Sequence, residues 1–198
     1  MDNADVPAGA QESRRSPLVR KAHIGWASTY AVVYYTVHYR FSQSFPFPAR
    51  EVYDWATDFQ EEDVVLSGRT GTREVERLDD ATLILTDTVV NGGKSVTKVR
   101  LIRLFPDILT YTNTRISTQG RHSQFIYQII PEGAKASRLE FSGAQVERAK
   151  TKPSGSALKA AAKELRETDV LIWVHLAAAM GKDLGPKRSR GTSGSRAR

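Results

Sequence analysis

The stretch SALKAAAKELRETDVLIWVHLAAAMGKDL, residues 156–184, decides the fold. It holds no proline and a single glycine, and Leu158, Ala161, Ala162, Leu165, Ile172, Leu176 and Ala179 recur on one side at helical spacing. Ser154 or Ser156 can cap its start, and Gly185-Pro186 stops its end. A helix of this length spans about 40 Å at the standard rise per residue, enough to cross a whole domain.

Everything between this helix and residue 31 reads mostly as β-structure. In Val33–Phe45, Val37, Tyr39 and Phe41 alternate with His38, Arg40 and Ser42, the period-two pattern of a strand with one wet face. Pro46 ends it, because proline cannot donate to a ladder. Pro48 suits a first helical turn. Val52, Trp55, Ala56 and Phe59 then follow at spacings that place an aromatic stripe on a short helix. Six further strands are expected over 66–78, 82–90, 95–105, 108–117, 121–130 and 136–149. They are separated by Asp79-Asp80, Asn91-Gly92-Gly93, Pro106-Asp107, Gln119-Gly120 and Pro131-Glu132-Gly133. Loops this short cannot carry parallel crossovers, so the strands form an antiparallel meander. The strand 66–78 is polar and carries Gly68 and Gly71, which suggests a bulge or a bent edge.

A seven-stranded antiparallel sheet with one wet face must bury the other, and the terminal helix is the one large element available to cover it. Such a sheet is wider than a helix. It is therefore expected to curl round the rod and leave an apolar hollow, with the short helix after Pro48 lying across one mouth. The fold class is α+β.

Composition narrows the function. The chain of 198 residues is 40% hydrophobic and 26% charged, as expected of one globular domain. It has no cysteine, which excludes disulfides and cysteine–metal sites and is compatible with a cytoplasmic location. The net charge of +7 invites a nucleic-acid reading, but residues 31–185 carry 20 Lys/Arg against 19 Asp/Glu. Much of the excess is in Lys187, Arg188, Arg190, Arg196 and Arg198. We therefore expect a disordered lead-in over 1–30, a ligand-binding domain over 31–185 and a disordered basic tail over 186–198, with no specific nucleic-acid partner. Ser13-Arg14-Arg15 resembles a twin-arginine signal, but the apolar segment after it is broken and too short to span a bilayer. Nothing fixes the oligomeric state; monomer and dimer are both open, since sheet edges can pair.

The order of elements resembles the helix-grip fold of the START and pollen-allergen-like superfamily (SRPBCC), and within it the polyketide cyclase/dehydrase and lipid-transport type. The resemblance runs over residues 33–184. It is carried by FPFPAREVYDWATDF (45–59), which is similar to the superfamily's strand–proline–helix–aspartate opening, and by the long helix after Pro153. Many relatives carry a proline-tryptophan or proline-glutamate pair after the first helix. Here that place reads FQEEDVVL, so the cavity mouth is expected to be built differently. The resemblance implies a cavity for a hydrophobic or amphipathic molecule such as a lipid, isoprenoid or polyketide-like compound. It allows a cyclase/dehydrase-like enzyme or a protein-interaction module as alternatives.

No nucleophile elbow, phosphate loop or metal-ligand spacing among the four histidines is present, so no cofactor or metal is expected. Asp169 falls on the apolar stripe of the terminal helix. It is either an edge acid paired with Arg166 or a neighbouring strand, or a cavity acid able to serve as a base. Arg103 shares a strand face with Val99 and Leu101, while Lys98 and Arg100 point the other way. Inside, Arg103 would pair with Asp169 or hold an anionic ligand; past a bulge it would point outward. Asp87 and Asn113 are further polar candidates on strands of ambiguous register. Tyr39, Phe41, Trp55 and Phe59, with Tyr111, Phe125, Tyr127, Phe141 and Trp173, fall where an inner face would lie, as does Leu176. In a hollow fold such residues are core and ligand wall at once.

Overall fold

The computed structural model describes residues 32–116 and 122–186. The expectations for the lead-in, for the basic tail beyond Pro186 and for the Gln119-Gly120 turn lie outside these residues. The elements run β1 (Val33–Phe45), α1 (Ala49–Thr57), α2 (Asp63–Leu66), β2 (Gly71–Asp79), β3 (Thr82–Asn91), β4 (Lys94–Phe105), a 3-10 turn (Pro106–Ile108), β5 (Thr110–Arg115), β6 (His122–Pro131), β7 (Ser137–Ala149) and α3 (Gly155–Asp183). The strands form one antiparallel sheet in the order β1-β7-β6-β5-β4-β3-β2. The meander from β2 to β7 is as expected. The first strand adds to its far edge by pairing with the last, Val33 opposite Ala149 and Phe45 opposite Ser137.

The inner face of β1 carries Val37, Tyr39, Phe41 and Phe45, all buried. Phe41 stacks on Phe141 of β7 at a centroid distance of 4.5 Å. Tyr111 and Tyr127 stack at 4.4 Å across β5 and β6. Trp173 of α3 meets Phe45 of β1 edge-on at 6.2 Å and Tyr127 of β6 at 5.9 Å, so aromatic contacts hold the helix against the β1–β7–β6 half of the sheet. The Ser154 hydroxyl accepts from the Ala157 amide and caps α3, as the sequence suggested.

Two elements differ from expectation. The span 66–78 is not one strand. Its start belongs to α2, and β2 begins at Gly71, whose backbone lies so close to Thr88 that an added Cβ would stand 2.2 Å from the Thr88 carbonyl oxygen. The 108–117 span is shortened at its start by the 3-10 turn, after which Leu109 takes a left-handed conformation (φ 46°). The hairpin at Asn91-Gly92-Gly93 is present, with both glycines at positive φ as its tight turn requires. Among the described residues, no helix is long and apolar enough to cross a membrane.

Candidate functional site

A cavity of about 600 Å³ lies between the concave face of the sheet and α3. Its helix wall is built by Leu165, Thr168, Asp169, Ile172, Trp173 and Leu176, one face of α3 over about three turns. Trp55 and Phe59, with Asp63 of α2, line the cavity from the segment that follows Pro48. Trp55 donates from its indole to Asp183 at 2.9 Å, which ties α1 to the last turn of α3. Phe59 adopts φ 47° and sets its ring edge-on to Tyr111 at 5.9 Å.

Over β2 to β4 the sheet wall carries charged groups, where an apolar wall was expected. Arg73 of β2 stands directly opposite Asp87 of β3. Its Nε donates to Asp87 Oδ1 at 2.8 Å, its Nη2 to Asp87 Oδ2 at 3.2 Å, and its Nη1 to Asp63 Oδ2 at 2.9 Å. Arg100 of β4 also donates to Asp87 Oδ2. Burial would raise the Asp87 pKa, but the hydrogen bond from Arg73 and the charges of Arg100 and Arg73 outweigh it and hold the carboxyl below its ordinary value. Asp63 has less help: burial dominates and lifts it to about 6.

Beyond this network the wall turns cationic. Lys98 is next but one to Arg100 on the same face of β4, and Arg100 faces Arg115 of β5 across the ladder. Arg69, in the loop before β2, lines the same end. Desolvation, then the charges of Arg69, Arg115 and Arg100, bring the Lys98 pKa down to about 8. Two buried polar atoms at this wall lack a hydrogen-bond partner: Arg100 Nε and Asn113 Oδ1.

On the opposite wall the Tyr39 hydroxyl donates to Asp169 Oδ2 at 2.5 Å. Burial raises the Asp169 pKa, and the hydrogen bond from Tyr39 offsets only part of the rise. The Tyr39 phenol is raised as well, first by burial and then by the Asp169 charge. This is a phenol–carboxyl pair able to donate or accept a proton at the cavity wall. Among the described residues no three His, Asp or Glu side chains come together as a metal site would need.

Of the residues singled out in the sequence, Tyr39, Trp55, Phe59, Tyr111, Tyr127, Asp169, Trp173 and Leu176 line the cavity. Asp169 faces inward and is held by Tyr39 instead of Arg166. Phe41 and Phe141 are packed into the core behind the cavity wall. The face assigned to β4 is corrected. Ile102 is fully buried and Val96, Lys98 and Arg100 line the cavity, so Val99, Leu101 and Arg103 lie on the outer face. Arg103 is exposed there, with its guanidinium over the Phe105 ring at 5.7 Å. The sequence reading misplaced this strand because Val99 and Leu101 are apolar. It passed over Arg69, Arg73, Lys98 and Arg100 because a solvated face is the ordinary place for such side chains. Asp87 and Asn113 do line the cavity.

No protein-family profile matches the chain. No curated protein sequence matches it either. Solved structures do. The Zhui aromatase/cyclase from Streptomyces sp. R1128 is 14% identical, with 79% of this chain and 99% of that one covered at a TM-score of 0.62. A START superfamily protein from Mycobacterium smegmatis is 14% identical, with 74% and 98% covered at 0.59. A truncated norcoclaurine synthase from Thalictrum flavum is 14% identical, with 83% and 100% covered at 0.57. At these identities the likeness is one of fold: a curved seven-stranded antiparallel sheet with a long C-terminal helix, the helix-grip fold of START-like (SRPBCC) proteins.

Proposed function

We propose that the chain binds an amphipathic small molecule, of the polyketide, isoprenoid or lipid kind, in the cavity between its sheet and α3. The observation that carries this reading is the cavity itself. Its volume of about 600 Å³ lies within the range of small-molecule pockets, and aromatic rings on one side meet a few convergent polar groups on the other. The likeness to START-like and aromatase/cyclase structures supports the same reading at the level of fold. Native mass spectrometry of the protein purified from its own host tests it: a co-purifying mass is expected. Leu176→Trp, which fills the hollow from α3, is expected to remove that mass while the protein stays folded. An empty cavity in every preparation, with no small molecule bound from an extract, would count against the reading.

A second reading, a cyclase/dehydrase-like enzyme, is favoured by one observation, the Tyr39–Asp169 contact at the wall. A phenol and a carboxyl sharing a short hydrogen bond beside cationic groups can move a proton to or from a carbonyl compound while the cations stabilise the developing enolate. Lys98 and Arg100 take the anion-stabilising role first assigned to Arg103. Asp169→Asn separates the readings. A carrier keeps its affinity; an enzyme keeps affinity but loses turnover of a poly-carbonyl substrate by about 100-fold or more.

A further inference from the structure

The cationic end of the cavity has more positive groups than its own acids can satisfy. Both oxygens of Asp87 are taken by Arg73 and Arg100, and Asp63 is taken by Arg73. Lys98 and Arg69 make no ion pair among the described residues. The Nε of Arg100 is buried with no acceptor. The remaining carboxyls of the lining, Asp169 and Glu164, belong to the facing wall, and Asp169 is engaged by Tyr39. Over the whole lining five cations, Arg69, Arg73, Lys98, Arg100 and Arg115, meet four carboxyls, Asp63, Asp87, Glu164 and Asp169, a balance that one further negative charge closes. Crowding cations in a desolvated wall costs stability, and such an arrangement is expected where a ligand supplies the missing charge. Burial first, and then the charges of Arg69, Arg115 and Arg100, lower the Lys98 pKa, in keeping with this crowding.

We propose that Lys98, Arg69 and the Nε of Arg100 form the receptor for a delocalised oxygen monoanion, a carboxylate or the enolate of a 1,3-dicarbonyl. The anion is carried on a flat unsaturated body that lies along Phe59, Tyr111, Tyr127 and Trp173. The aromatic faces fix the body, because Tyr111 and Tyr127 stack in parallel and Phe59 and Trp173 close on them from two sides. Asn113 Oδ1, the unpartnered acceptor beside them, takes a hydroxyl of the same molecule. The proposal rests on the cavity-binding reading and narrows it to acidic ligands.

Calorimetric titration of the full chain with 2-naphthoate, 2-naphthamide and 2-naphthyl phosphate tests it. These share one ring system and differ in head-group charge. Naphthoate is expected to bind at least tenfold more tightly than naphthamide, and more tightly than the phosphate. Lys98→Met is expected to weaken naphthoate about tenfold and leave naphthamide unchanged. Arg69→Gln, in a loop outside the sheet, should act in the same direction and serves if Lys98→Met does not fold. Equal affinity for naphthoate and naphthamide overturns the anion receptor while leaving the cavity reading intact, as does tighter binding of the phosphate. Unchanged naphthoate affinity in both variants also overturns it. Failure of all three compounds to bind overturns both readings.

Discussion

Desolvation and the neighbouring guanidinium groups of Arg69, Arg115 and Arg100 hold the Lys98 ammonium at a pKa of about 8, below the usual lysine range. The folded state therefore releases this proton more readily than the unfolded state. The resulting penalty is fully present below pH 8 and is relieved as the pH rises from there towards the unfolded value. Lys98→Met should accordingly raise the melting temperature at pH 7, by roughly 2–4 °C if about 1 kcal/mol is recovered after discounting for partial solvent access. Its advantage should shrink at pH 9–10; scanning calorimetry at both pH values checks this. Asp169 has the opposite sign. Burial raises its pKa, so its stabilising contribution is complete below the unfolded carboxylate value and is lost as the pH rises through the folded one. Asp169→Asn keeps an oxygen that can accept from Tyr39 and removes the buried charge. Urea denaturation should find it more stable than wild type by about 1 kcal/mol at pH 7, with the gap closing near pH 4. Asp169 was legible in the sequence because an acid on an apolar helical stripe stands out. Lys98 was not, because a lone lysine on a strand gives no sign of which face it occupies.

At the scale of elements, β4 shows where that sign was hidden. The turn at Gly92-Gly93 pairs Asn91 with Lys94, and counting back from it pairs Leu85 with Arg100 and Leu83 with Ile102. Leu83 and Leu85 are buried, so their partners must point the same way, and the inner face of β4 follows from the hairpin rather than from its own apolar residues. A mutant pair tests the assignment. Ile102→Ala should cost about 2–5 kcal/mol and Leu101→Ala less than about 1 kcal/mol, measured by chemical denaturation. At the other edge of this sheet, Gly71→Ala should destabilise strongly, because its Cβ would meet backbone on β3 and not a side chain that can move. Its displacement of β2 would also pull Arg73 from Asp87. The expected readout is a lowered melting temperature together with weakened naphthoate binding. The helix α3 was read almost to the residue, since a capping serine, an uninterrupted run and a Gly-Pro stop all point to one answer. The short α2 left no such trace: DVVL carries too few residues for periodicity to speak.

For the whole molecule, the architecture was legible because turn chemistry fixed the meander and left one helix to cover it. The polarity of the cavity was not, because it arises where four strands, β2 to β5, bring one or two charged residues each to one place, joined by Arg69 from a loop and Asp63 from α2. Each is unremarkable in its own strand, and the wall exists only after the sheet curls. Removing residues 155–198 should therefore leave a sheet whose inner aromatic face is open. We expect loss of the cooperative thermal transition and aggregation, seen by circular dichroism and light scattering.

The pairing of the first strand with the last also governs how this chain matures on the ribosome. Val37, Tyr39 and Phe41 emerge early, but their neighbours on β7 are made about a hundred residues later, and the rod that closes over them later still. At ordinary translation rates that interval lasts several seconds to tens of seconds, during which a sticky ribbon waits without its mate. The nascent polypeptide should thus be a client of holding chaperones for most of its synthesis, and substitutions that speed decoding of the β2–β7 segment should improve its yield.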